Sequence, residues 1–105
     1  MVEPIVVLVT ASSSEEAARL AQALVDERLA ACVNVVPGLR SIYRWQGRVE
    51  TADEVLLIVK TARHLLPAAT HLVQSLHSST VPEVIALPIV GGAAPYLDWL
   101  AGQLR

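Results

Sequence analysis

Phenylalanine is absent, and two Trp and two Tyr are the only aromatic side chains in 105 residues. The core must therefore be built from Ala, Val, Ile and Leu, and the place of each ring matters. Charge is scarce too: 17% of residues are Asp, Glu, Lys or Arg, against 53% hydrophobic. Such a chain cannot solvate the whole outside of a small monomer, so part of its apolar surface is expected to meet another chain. The net charge of -2 and a pI near 5.8, with Arg residues scattered among acids, leave no electrostatic footprint for a phosphate backbone. No nucleic-acid partner is expected. A single cysteine, Cys32, excludes an intrachain disulfide and a thiolate cluster within one subunit. Met1-Val2-Glu3-Pro4 has no basic character, and the apolar run at 5–9 is far too short for a signal core or a membrane span. A cytoplasmic chain with no membrane partner is expected.

What is present reads as one domain over residues 1–105. The β-branched run at 5–9 is apolar on both faces, as in a central strand. Ser12 with Glu15 and Ser13 with Glu16 then form two overlapping capping boxes. Ala17, Leu20, Ala21 and Leu24 follow at helical spacing, to an end near Arg28. Two β runs lie between 30 and 61, joined by Gln46-Gly47 as a tight hairpin turn. Pro37-Gly38 interrupts the first run, which predicts a bulge on an edge strand. Leu65, Leu66, Ala69, Leu72, Val73 and Leu76 mark a second helix over 63–77, with Pro67 in its first turn. A fourth strand over 84–90 and a short helix over 95–104 complete the order.

That order predicts an α+β fold: a ferredoxin-like split βαβ sandwich with an extended β-hairpin and an added C-terminal helix. Helices cover one face of such a sheet. Strands apolar on both faces need a second cover, and other copies of the chain supply it most simply.

Several segments carry a family resemblance. Glu27-Arg28-Leu29-Ala30-Ala31-Cys32-Val33-Asn34 precedes Val36-Pro37-Gly38 and Ser41-Ile42-Tyr43-Arg44-Trp45-Gln46-Gly47. Lys60-Thr61, Val81-Pro82-Glu83-Val84, Ala86-Leu87-Pro88-Ile89 and Tyr96-Leu97-Asp98-Trp99-Leu100 follow. In this order the set resembles the CutA divalent-cation tolerance family. The resemblance implies a ferredoxin-like subunit, a homotrimer, a link to tolerance of divalent cations and copper above all, and no catalysed reaction or required cofactor. One departure stands out: where the family usually has His-Pro-Tyr-Glu after the second helix, this chain has His77-Ser78-Ser79-Thr80. Two family positions that might join His77 as copper ligands hold Val9 and Leu76, which cannot coordinate.

The chemistry-bearing residues each have two readings. Cys32 in an apolar strand is a buried small hydrophobe or a soft ligand for Cu(I). His64 and His71 lie about 10 Å apart along one helix, too far to share an ion. His77, ending a helix, is either a polar cap or a weak ligand for copper(II) or another divalent cation, with Glu83 as the nearby carboxylate. Tyr43 and Trp45 at the hairpin are either packed on their own sheet or anchors of a trimer interface, and the interface role is expected for Trp45, with core packing for Trp99.

Two rivals share the architecture. An acyl-phosphate hydrolase needs an arginine-bearing anion loop, and Thr10-Ala11-Ser12-Ser13-Ser14 has no Arg. No nucleophile, metalloprotease or Walker motif is present either, so no enzyme is expected. A trimeric small-molecule or nucleotide sensor of the nitrogen-regulatory type is the alternative, although no loop gathers the basic residues that phosphates require.

Overall fold

The computed structural model describes residues 2–105. Its elements are β1 (Pro4–Ala11), α1 (Ser14–Asp26), β2 (Cys32–Trp45), β3 (Arg48–Ala62), a 3-10 turn (Arg63–Leu65), α2 (Leu66–Leu76), β4 (Val84–Pro88) and α3 (Ala94–Gln103). The strands form one antiparallel sheet in the order β2-β3-β1-β4. This is the split βαβ arrangement read from the sequence.

β1 is central, as its composition predicts. Ile5, Val7, Val9 and Ala11 are buried, together with Val55, Leu57 and Val59 of β3, against Ala17, Leu20 and Leu24 of α1 and Ala69 and Val73 of α2. Each Leu buried in this way contributes about 2 kcal/mol. The alternate residues face the other way. Partners in register share a face, so Val6 and Leu8 of β1, Leu56 and Ile58 of β3, and Ile85 and Leu87 of β4 lie on the side turned away from α1 and α2. Ile85 and Leu87 are each 52% exposed. Within one subunit, the strands that are apolar on both sides bury one of them and leave the other only partly covered.

The hairpin is long: β2 has 14 residues and β3 has 15, and the molecule measures 44 × 24 × 22 Å. Gln46 (φ 50) and Gly47 (φ 78) both adopt the left-handed region, the two-residue turn whose twist matches the strands. The register slips between Val36 and Leu39, at Pro37-Gly38, on the edge strand β2.

Three boundaries differ from the sequence reading. α1 stops at Asp26 because Arg28 turns left-handed (φ 57) and Leu29 N–H closes on the Leu24 carbonyl at 2.9 Å. That conformation is costly for Arg. Its guanidinium offsets the cost by donating to the carbonyls of Gln103 and Gly102 at 3.0 and 3.3 Å, which caps α3. α2 is preceded by the 3-10 turn and places Pro67 at its start, where the missing N–H is harmless. β4 ends at Pro88, short of the expected 90, and Val90 is almost fully exposed.

Candidate functional site

Where β1 runs into α1, two capping boxes were expected and one cap forms. Ser13 is the N-cap, with its hydroxyl accepting from Glu16 N–H at 3.1 Å. The Glu16 carboxylate reaches past it. Oε1 accepts from Ser12 N–H (2.9 Å) and the Ser12 hydroxyl (3.0 Å), and Oε2 accepts from Ser78 N–H at 2.7 Å, 62 residues along the chain. Ser12 is thereby committed to Glu16 rather than to Glu15. Burial alone would push the Glu16 pKa up. The Ser12 and Ser78 hydrogen bonds outweigh it and hold the group at about 2.

His77 follows the last turn of α2, and its own N–H bonds the Val73 carbonyl at 2.9 Å. Its ring is 4% exposed. Nδ1 accepts from Ser79 N–H at 2.9 Å, so in the neutral ring Nε2 carries the proton and donates to the Thr10 carbonyl at 2.7 Å. Glu16 Oε1 lies 3.9 Å from Nε2. His77, Glu16 and Ser78 thus fasten the end of α2 to the end of β1 and the start of α1. The carboxylate beside His77 is Glu16, whereas Glu83, expected there from the sequence, is exposed.

Between this junction and the hairpin lies an open cavity of about 680 Å³, lined by Ser41, Tyr43, Trp45, Glu54, His77 and the segment 78–83, among others. Tyr43 and Trp45 are 43% and 44% exposed. The remaining candidates do not converge. His64 Nε2 meets the Arg105 carbonyl at 2.9 Å, His71 is exposed, and Val9 is buried. Cys32, expected to be buried, is half-buried at the start of β2, opposite Lys60. It shares with Val6 the face turned away from α1 and α2. Trp99, expected in the core, is half-exposed and tilted against Tyr96 at 5.6 Å between ring centroids, while Leu100 next to it takes the buried place.

The family model described as CutA1 divalent ion tolerance protein matches residues 5–103. The chain belongs to the CutA family. The "Divalent-cation tolerance protein CutA" of Thermus thermophilus is 59% identical over 95 residues, which is 90% of this chain and 92% of that protein. A solved structure of the Cut A1 protein from the same organism has a TM-score of 0.95 at 55% identity, covering 97% of this chain and 99% of that one. Rice "Protein CutA 1, chloroplastic" is 52% identical over 99% of this chain, which spans 59% of the rice protein. The CutA name is that of a tolerance protein, not of an enzyme. Nothing in these comparisons supports the nitrogen-regulatory alternative.

A resident metal centre does not fit these residues. No group of three or more His, Cys, Asp or Glu among the described residues is placed to hold an ion. Both His77 nitrogens are hydrogen-bonded, and the Glu16 carboxylate already accepts from three donors. Sequence reasoning took Glu16 for a cap and missed its grip on Ser78. The Ser-x-x-Glu spacing was the available signal, but nothing local announces a partner 62 residues away.

Proposed function

We propose that this chain serves divalent-cation tolerance as a cytoplasmic homotrimer that needs no cofactor and meets copper(II) or another divalent ion weakly, at His77. The observation that carries the assembly is the apolar face of the sheet turned away from α1 and α2, where Val6, Leu8, Leu56 and Ile58 are only half-buried and Ile85 and Leu87 are exposed in their own subunit. A closed three-fold ring covers such a face on every copy. Tyr43 and Trp45, half-exposed on the long hairpin, serve as anchors reaching a neighbour. Light scattering at micromolar concentration is expected to give three times the 11.3 kDa subunit mass. Trp45→Ala should weaken the assembly by about 2 kcal/mol, as truncation of an interface hot spot does. A monomeric parent protein sinks the trimer, and a Trp45→Ala protein that dissociates like the parent returns the ring to local packing.

The weakness of metal contact follows from the donors. An ion at His77 Nδ1 must displace Ser79 N–H, and one at Nε2 must displace both a proton and the Thr10 bond. Copper(II) is the divalent ion for which such a site has the highest intrinsic affinity. Calorimetric titration with copper(II) is expected to show weak binding that is lost in His77→Ala and kept in Cys32→Ser. Unchanged binding in His77→Ala removes the site from this position, and loss in Cys32→Ser alone moves it to the thiol.

A further inference from the structure

The cavity between the hairpin and the 77–83 segment has a chemistry that the tolerance reading leaves unused. At about 680 Å³ it falls in the size range of sites for small organic molecules. Glu54 and Glu83 are its acids, and no Lys or Arg lines it. Both His77 ring nitrogens are already engaged, by Ser79 N–H and the Thr10 carbonyl. The field inside therefore favours cations and disfavours phosphates and carboxylates. A bare metal ion is served poorly, since no three donors converge among the described residues. Two aromatic rings, Tyr43 and Trp45, stand in the same wall, and their faces attract a spread, weakly hydrated cation better than a hydrated metal ion. Ser41 and Thr80 add hydroxyls able to accept from N–H groups.

We propose that this cavity binds a small aliphatic amine, with the carboxylates of Glu54 and Glu83 meeting its ammonium groups and the rings of Tyr43 and Trp45 flanking its carbon chain. A diamine or polyamine matches best, because the wall offers two carboxylates with aromatic surface beside them. The binding involves no covalent step. It uses other donors than the copper contact, which lies at His77 in the same cavity and involves neither glutamate. It shares Tyr43 and Trp45 with the contact proposed between copies, so the assembled protein is what must be titrated, to read whether that wall stays open to a ligand.

The experiment titrates the purified, assembled protein with cadaverine and with spermidine by calorimetry at low ionic strength, with Mg²⁺ and ATP as controls. Saturable binding at one site per subunit is expected, and it should weaken tenfold or more in both Glu54→Gln and Glu83→Gln. Gln keeps the shape of each side chain, so thermal melting of the variants should match the parent and separate lost binding from lost folding. Amine binding should also perturb tryptophan fluorescence, a change that Trp45→Phe removes while the heat of binding persists. Absence of saturable amine binding overturns the proposal and means that the cavity is filled by a second copy or is open to water. Equal affinity in both glutamine variants, or tighter binding of Mg²⁺ or ATP than of either amine, overturns it as well. None of these results touches the subunit mass or the copper titration, so this site and the tolerance reading fail separately.

Discussion

Replacing Glu16 with alanine is expected to lower the unfolding free energy by about 3 kcal/mol at neutral pH. The figure comes from the ionisation of the group: a carboxyl held at about 2 in the fold, against an ordinary 4.5, favours the folded state by 1.36 kcal/mol per pH unit of difference. Because the folded pKa is depressed, this stability is fully present above 4.5 and is lost as pH falls towards 2. The gap between parent and Glu16→Ala should therefore close across that window. Urea denaturation at one fixed protein concentration, repeated from pH 7 down to pH 2, measures it, since the proposed assembly would link stability to concentration. Glu16→Gln is the sharper variant. An amide fills the space but must turn its NH₂ towards either Ser12 N–H or Ser78 N–H, setting donor against donor. Recovery of less than half the loss is expected. A glutamine variant as stable as the parent, or a gap that does not change with pH, would show that Glu16 acts by filling space and not by its charge.

Much of this architecture was legible because its signals are local. Gln46-Gly47 announced a two-residue turn, and both residues adopt the left-handed backbone that such a turn requires. Pro37-Gly38 announced a break on an edge strand, where the register slips. The run at 5–9, too apolar for a strand with one wet face, announced a central position. Where the reading failed, the deciding contact was distant in sequence. Arg28 ends α1 early, held by carbonyls of α3 some 75 residues later. Trp99 yields the buried place to Leu100, which no helical period in so short a segment decides.

The candidate site shows the same division. His77 was legible as a helix-ending polar residue, and it does cap. Which carboxylate stands beside it was not legible. Glu83 is near in sequence and exposed, whereas Glu16 arrives from the opposite end of the fold because α1 and α2 pack side by side on the sheet. Proximity along the chain was the wrong guide, since the split βαβ topology places the end of α2 beside the end of β1. The cavity was equally invisible: Tyr43, Glu54 and Glu83 meet only after the hairpin has folded across from the 77–83 segment.

Ile58→Asp is expected to convert the proposed trimer into a folded monomer. Ile58 lies on the face turned away from α1 and α2, between Leu8 of β1 and Asn34 of β2, and Leu8 is in turn paired with Ile85 of β4. In a lone subunit this position is only partly covered, so a carboxylate there can reach water and costs the fold little. In the proposed assembly it enters an apolar contact whose partners in register, Leu8 and Asn34, carry no charge, with Lys60 two residues along as its cation on that face, and burying a charge without a close partner costs several kcal/mol. A penalty of about 3 kcal/mol at each interface already weakens it more than a hundredfold. Sedimentation at micromolar concentration should then give 11.3 kDa in place of three times that mass, with the circular dichroism of the parent retained. Ile58→Leu keeps the apolar volume and should sediment as the parent does. A variant that unfolds outright would mean that the sheet has no independent existence without its neighbours, which is the stronger form of the same coupling. If Ile58→Asp stays folded and trimeric, the face is not the interface, and the assembly must rest on the hairpin. Trp45→Ala separates the two contributions, because the hairpin ring and Ile58 lie on different parts of the sheet and their effects should add if both contact neighbouring copies.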